Sequence, residues 1–379
     1  MKSNKINVLC FFLILAGTLS VFALDVESEA PYYSGGLVAD ALNLSIKNAF
    51  DDALGQLDSM IGGINSKPED FIRSWGNSAI FASHGATQRA YGGYKLLSIT
   101  AGSMLGLQLP IDPLTLKYGS GSLDELGAII EKLNNEGDIE LSFSPQLINV
   151  QFGLNTSKFL LNNLYLGIRF GTIKLDNLID GFSFNSFTLG LTANYQLLEP
   201  KSAAKLLVWR GLNVGAGFVY HNTTLGYTYI LDTIEENLDL TSDSTMNVLG
   251  SPVLKIDPKL FLDMKINTVT IPLEITTAVQ LLSLNLALGV GVDLGFGSSN
   301  LKIGLDGDIT IDGLNENHVT REKDGYVSVS AGGEMTPRFF NFKFMTGIGF
   351  IIGPVIVDIP ITFYVGNGYN IGFTFGVVL

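Results

Sequence analysis

The chain has 379 residues, 46% of them hydrophobic and only 16% charged, with a formal charge of −13. Charged residues at about 25% are usual in soluble domains, and the acidic balance excludes a surface built to hold nucleic-acid phosphates. Mean hydropathy is +0.32, yet beyond the N-terminus no uninterrupted apolar run reaches the roughly 18 residues of a spanning helix.

The N-terminus reads MKSNKINVLCFFLILAGTLSVFALD. Lys2 and Lys5 form a positive start, Val8 to Ala16 a short apolar core, and Val21-Phe22-Ala23 a small-residue cleavage pattern. Residues 1–23 are therefore expected to be a secretory signal peptide, cut after Ala23. Cys10 is the one cysteine, so the mature chain has no disulfide, thiolate nucleophile or thiolate metal site. Removing Lys2 and Lys5 leaves 21 basic against 36 acidic residues, a charge of −15.

Residues 24–90 form a head without clear alternation. Within 37–61, Leu42, Ile46, Ala49, Ala53, Leu57 and Ile61 recur at helical spacing, and Gly62-Gly63 ends the helix. SWGNSAIFASHGATQRAYGG follows. A second helix is expected over 122–136, where Ser122-Leu123-Asp124-Glu125 is a capping box and Gly137 a stop.

From Gly92 onward, apart from that helix, the period is two. In LLSLNLALGVGVDLGFG, Leu281 to Gly297, the even positions are Leu, Val or Phe. The odd positions between them are Ser, Asn, Ala, Gly or Asp. At 100° per residue the apolar positions would scatter; at 180° they form one face. The same pattern recurs at 187–197, 211–221, 300–312 and 339–350. Near Pro145 the apolar parity flips, from Phe143 to Ile148, Val150 and Phe152, which reads as one strand carrying a bulge. Counted so, the segments number about fourteen. Tight links at 222–223, 267–268, 281, 297–299, 337–338 and 351–353 alternate with longer charged ones at 110–137, 234–252 and 313–325. These features predict an all-β fold: a transmembrane antiparallel β-barrel of about 14 strands over 91–379, with an N-terminal helical plug or cap. A soluble sandwich or lipocalin-like cup would turn the apolar face inward. Its outer faces would carry more Lys and Glu than these Gly-, Ser-, Thr- and Asn-rich ones do. The end, YNIGFTFGVVL, resembles the outer-membrane assembly signal, with Leu379 in place of a terminal aromatic residue. The expected partners are outer-membrane lipid and, through this last strand, the barrel-assembly machinery.

No catalytic set emerges. His84, His221 and His318 are scattered, no serine is seen to face His221, and no metal or cofactor is expected. Asp306, Asp308 and Asp312 share a face and read as a wet lumen wall. Gly289-Val290-Gly291 sits inside a strand and is no phosphate loop. By parity, Arg169, Lys255, Lys259, Phe261 and Lys265 are assigned to the lumen, where cations could hold an anion such as a fatty-acid carboxylate; mutual Lys–Asp pairing is the plainer alternative. Four glycines on the odd row of 281–297 imply close approach of another segment, and the head is the candidate.

A signal peptide, an N-terminal plug and about fourteen strands resemble the FadL-type outer-membrane transporters and their spirochaete-type relatives. Asn77-Ser78-Ala79 is similar to the Asn-Pro-Ala of that family's hatch, with Ser78 replacing the proline. LDVESEAPYYSGG lacks the family's apolar mature N-terminus. The resemblance implies passive uptake of long-chain fatty acids or other hydrophobic molecules, with residues 77–79 in the hatch. The alternatives are a general diffusion porin and a surface barrel whose loops bind a host partner. The bacterial outer membrane is the expected location.

Overall fold

The structure is a computed structural model. The structure describes residues 25–61, 68–83, 94, 96–109, 142–158, 160–176, 180–204, 206–238, 249–315 and 317–379. The expected signal peptide, the helix at 122–136 and the hatch stretch beyond Ser83, apart from Tyr94, lie outside the described residues.

Two short strands come first, β1 (Asp25–Glu29) and β2 (Tyr32–Ser34). Helices α1 (Leu37–Ile61) and α2 (Pro68–Phe81) follow. Then come β3 (Leu97–Gln108), β4 (Ser142–Asn155), β5 (Leu164–Asp176) and β6 (Phe182–Leu198). Next are β7 (Lys201–Ala204), β8 (Leu207–Ile230), β9 (Ile234–Asn237), β10 (Gly250–Leu281) and β11 (Leu284–Leu314). The last are β12 (Thr320–Lys323), β13 (Gly325–Met335), β14 (Phe340–Ile352), β15 (Val355–Tyr364) and β16 (Gly368–Val378).

Antiparallel pairing runs from β3 through β4, β5, β6 and β8 to β10. It continues through β11, β14, β15 and β16, and β16 pairs back onto β3. Ten strands thus close a ring among the described residues, within a sheet of fourteen whose other members are β1, β7, β9 and β13, so the expected fourteen strands do not all form the wall. The excess came from reading single strands as hairpins. β8, β10 and β11 run unbroken for 24, 32 and 31 residues, straight through the links expected at 222–223, 267–268 and 297–299. The link at 337–338 reverses nothing either, because β13 and β14 both pair with β11 in the same sense. The expected bulge in β4 is present: Leu147 and Ile148 both point outward, where the pairing with β3 slips.

The long strands look like hairpins because their chemistry inverts partway along while their geometry does not. On β11 the outward residues Leu286, Leu288 and Val290 are 45–63% exposed, and Asn285 and Asp293 are buried inside. Beyond Gly297 the inner positions become apolar, with Leu301, Ile303, Leu305 and Ile309 buried. The outer positions there, Lys302, Asp306 and Asp308, are exposed. β10 inverts opposite the same place, from outward Leu273 and Ile275 to inward Leu254, Ile256, Leu262 and Met264. An unbroken two-residue period with swapped chemistry means that the surroundings change along the strand: apolar outside one half, water outside the other.

The extended halves of β10 and β11 stand beyond the ring, flanked by β9 on one side and by β13 and β1 on the other. α1 covers the inner face of this sheet. Ala39, Leu42, Ile46 and Phe50 recur at three and four residues and pack with Leu254, Ile256, Leu305, Ile309 and Val327. Asn43 fixes the entry to α1, donating to the Tyr33 carbonyl at 2.8 Å and accepting from its N–H at 3.0 Å. The expected stripe through Leu42 and Ile46 is therefore the base of a cap and lies outside the lumen. The tight turns at 282–283 and 353–354 mark the opposite end of the ring, where β3 begins beside Leu154 and Leu379.

Candidate functional site

The lumen is occupied by α2. Pro68 at the first helical position and Glu69 and Asp70 in the first turn suit a helix start. The helix points from the cap into the ring. Its upper turn packs Phe71, Ile72 and Trp75 among inward Leu262, Met264, Leu301 and Ile303. From Ser74 to Ser83 every residue is buried, so no face of this stretch meets water, whereas Glu69 above it is exposed.

Lower down, polar groups and glycines hold the helix. Ser142 donates to the Ser74 carbonyl at 2.6 Å. Asn77 donates to Gln108 at 2.8 Å and accepts from the Arg338 N–H at 2.7 Å. Asn370 donates to the carbonyls of Phe81 and Ser83, so the carbonyls left unpaired at the helix C-terminus meet a donor. Phe81 stacks on Tyr364 with centroids 4.2 Å apart. Cβ atoms added at Gly106, Gly295 and Gly368 would overlap Ser78 and Ala82, Ile80, and Phe81 respectively.

Beneath α2 lies a charged cluster. Lys343 Nζ stands 2.5 Å from Glu274 Oε1 and 2.6 Å from Asp293 Oδ1, with all three side chains at most 1% exposed. Tyr364 donates to the other Asp293 oxygen at 2.8 Å. Gly291 leaves the space for this cluster, because a Cβ there would meet Lys343 Cε at 3.0 Å and Glu274 Cγ at 3.2 Å.

Across the lumen His221 is fully enclosed. Thr223 lies 2.8 Å and Ser144 3.4 Å from its Nε2, and Thr188 lies 3.0 Å and Gln146 3.5 Å from its Nδ1. A serine does therefore face His221, contrary to expectation. The carboxylate that would orient the ring for nucleophilic chemistry is absent from its hydrogen bonds. The set reads as a polar brace between β4, β6 and β8.

Of the residues assigned to the lumen, Arg169 is inside: it is 2% exposed and donates to Gln151 at 2.9 Å. Lys255, Lys259, Phe261 and Lys265 are not. All four lie on the outer face of the extended sheet, because the inversion puts charge outside there. Lys255 bonds Glu235 at 3.1 Å and Asp312 at 2.8 Å, which pushes its pKa up to about 12. Lys259 faces Asp308 at 3.7 Å, and Lys302 sits 5.5 Å from the Phe261 ring. Asp306, Asp308 and Asp312 share that outer face rather than a lumen wall. Pairs this exposed contribute little to stability. Asn77, Ser78 and Ala79 lie within α2, all at most 2% exposed. The residues that parity reasoning missed are Glu274, Lys343 and Tyr364. The available signal was a lone charge on the inner face of β10 and of β14, each flanked by apolar outer positions.

A sequence-family model described as Lsa36-like matches residues 23–378. None of the curated proteins matches the chain. Among solved structures the chain is similar to the translocator domain of the autotransporter NalP from Neisseria meningitidis, at 8% identity over 88% of this chain and 97% of that one, TM-score 0.23. It is also similar to the CymD monoaromatic hydrocarbon channel, at 10% identity over 76% and 89%, TM-score 0.23. A third is a mutant of the TodX monoaromatic hydrocarbon channel, at 6% identity over 81% and 99%, TM-score 0.25. At these values the likenesses assign no activity, and function follows from the geometry alone.

Proposed function

The chain belongs to the Lsa36-like family, and we propose that it is an outer-membrane β-barrel, sealed by its own α2, that presents the cap built on β9, β10, β11, β13 and β1 at the cell surface. One observation carries this reading: the ring is apolar outside, polar inside, and holds a helix that is buried on every side from Ser74 onward.

The apolar belt has the dimensions of a bilayer. On β8, Trp209 bonds outward-facing Thr277 at one edge, and Tyr220 bonds outward-facing Asn267 at the other. The eleven steps from Trp209 to Tyr220 rise about 37 Å along the strand at ~3.4 Å each. At a tilt of ~40° that is about 28 Å of height, close to the ~25 Å band between aromatic girdles. Leu273→Arg, at 44% exposure near the middle of the belt, should therefore cost about 2–4 kcal/mol in lipid. Lys302→Glu on the cap should change stability by no more than ~0.5 kcal/mol. Folding titrations in lipid vesicles would compare them, and an equal effect of the two would remove the membrane reading.

A general diffusion porin is disfavoured by the strand count and by the filled lumen. Sixteen to eighteen strands leave a water channel, whereas about eight leave room for side chains alone. Ten leave room for one helix. The purified chain should be silent in planar bilayers. Deleting residues 24–83 should open steady conductance, because it empties a space about 10 Å across, the width of a helix. Strong conductance by the parent chain would overturn the sealed reading.

The second reading, passive uptake of a hydrophobic ligand with residues 77–79 in a moving hatch, draws support from one feature. The belt carries an apolar hollow of about 580 Å³, lined by Ala193, Tyr195, Ala216, Ile275, Val290 and Phe342. A copurifying long-chain fatty acid would move this reading to first place. Under either reading, β16 would be the strand that the barrel-assembly machinery recognises.

A further inference from the structure

β1 and β3 begin at opposite ends of the molecule, and of the described residues between them Ser74–Ser83 and Tyr94 lie inside the ring. β1 lies in the cap, paired with β13. α2 then descends to Ser83, whose carbonyl accepts from Asn370 on the inner wall. Tyr94 is also inside, 7% exposed at the far end, where its ring packs against Tyr165 and its carbonyl accepts from Asn155 at 2.6 Å. Leu97 opens β3 at the rim of the tight turns.

In outer-membrane barrels the short turns face the periplasm and the long connections face outward. A chain exported across the inner membrane reaches that barrel from the periplasmic side, yet β1 and α1 are on the other. We infer that the barrel is the conduit for its own N-terminal region: residues 25–61 cross through the lumen unfolded, fold outside against β10, β11 and β13, and leave α2 behind as the cork. This rests on the outer-membrane reading above.

Three observations fit. Among the described residues the lumen holds one helix, and α2 is bonded or packed to β3, β4, β10, β11 and β16 around it. A folded cap could not pass. The head carries no cysteine, so no covalent link hinders threading. It also has no core of its own: Leu42, Ile46 and Phe50 are buried only with the help of Leu254, Ile256 and Leu305 from the wall strands. Apolar burial that becomes available only outside stabilises the crossed state and opposes return.

The mature chain being free of cysteine, single cysteines are clean reporters. Glu27→Cys in β1, Lys259→Cys on the outer face of the cap and Ser283→Cys in a tight turn would be treated, in intact cells, with a membrane-impermeant maleimide. Labelling at 27 and 259 with none at 283 is the expected result. Labelling at 259 but not at 27 overturns the conduit and leaves the barrel standing. Labelling at 283 alone, or at none of the three until the cells are lysed, overturns the orientation beneath it. A second arm fuses a small disulfide-bonded domain ahead of Asp25. Oxidised, it should abolish labelling at 27 while 259 still reacts, and a cysteine-free version of that domain should restore it. Undiminished labelling at 27 behind the oxidised domain shows that the head reaches the surface by another route.

Discussion

Replacing Lys343 with Met should cost the barrel about 3–5 kcal/mol, the penalty for breaking a buried ion pair by removing one partner. Lys343 is the cation that two buried carboxylates share, at 2.5 Å from Glu274 and 2.6 Å from Asp293. Without it, two negative charges face each other in a site from which water is excluded. Tyr364 already donates to Asp293 and cannot neutralise it. Glu274→Gln tests the same geometry from the other side. It leaves one carboxylate beside one ammonium and should cost only about 1 kcal/mol, the scale of one hydrogen bond. Urea unfolding of the refolded barrel in detergent reads the difference. At a slope near ~3 kcal/mol per molar, the Lys343 variant should shift the midpoint by about 1–2 M. Equal midpoints for the two variants would mean that the cluster is not the electrostatic centre of the wall.

The cluster also shows what a sequence alone reveals of this site. Period two was plain from Gly92 to Leu379, and so was the small inner face of β11. What filled that face was not. The four glycines at 289, 291, 295 and 297 were read as room for the head. Only Gly295 meets it, at Ile80. Gly291 makes room for Lys343 and Glu274, Gly289 sits against Thr276 and Met345, and Gly297 has a left-handed φ of +125°. A missing side chain marks a space without naming its occupant, because the occupant comes from another strand or from a distant helix.

The outer face misled in a different way. Lys255, Lys259 and Lys265 alternate with apolar residues as lumen charges would, and parity alone takes the apolar set as lipid-facing. That inference holds only while lipid is the outer medium. On the membrane reading, water replaces lipid outside above Asn267 and Gly297, while inside α1 and the upper turn of α2 bring an apolar surface against the strands. The same alternation then means the reverse. Turn-prone residues at the crossover, such as Asn222, Asn267 and Gly297, completed the appearance of a hairpin. Asn222 and Asn267 in fact face each other across β8 and β10 and share a hydrogen bond. α2 escaped notice although Pro68-Glu69-Asp70 is a fair helix start. It is apolar on one side and polar on the other because its surroundings are mixed in the same way.

Gly106→Val should drive α2 out of its seat while leaving the ring closed. Gly106 faces inward from β3 beneath the last turn of the helix. A Cβ there would lie 2.5 Å from the Ala82 nitrogen and 3.0 Å from its Cα, and would overlap the Ser78 carbonyl oxygen. These are backbone atoms of one hydrogen-bonded turn, in which Ala82 donates to Ser78 at 2.9 Å, so they cannot yield singly. β3 cannot retreat either, because β16 and β4 bind it on both edges. The helix must move as a body. The strain is about 1–3 kcal/mol, the usual range for overpacking, and valine lies at the upper end. Gly347→Ala is the matched control on the inner wall. Its nearest contacts, at 3.3–3.5 Å, are ordinary or nearly so, and it should be neutral within ~0.5 kcal/mol. The reporter is Ser78→Cys, at a position with no exposure, in a chain begun at Leu24 and therefore without Cys10. It should resist a water-soluble maleimide in the parent and in the Gly347→Ala background. It should react once Gly106 is Val, and steady conductance should appear with it. A protected cysteine and a silent bilayer in the Gly106→Val chain would mean that α2 is not what seals the barrel.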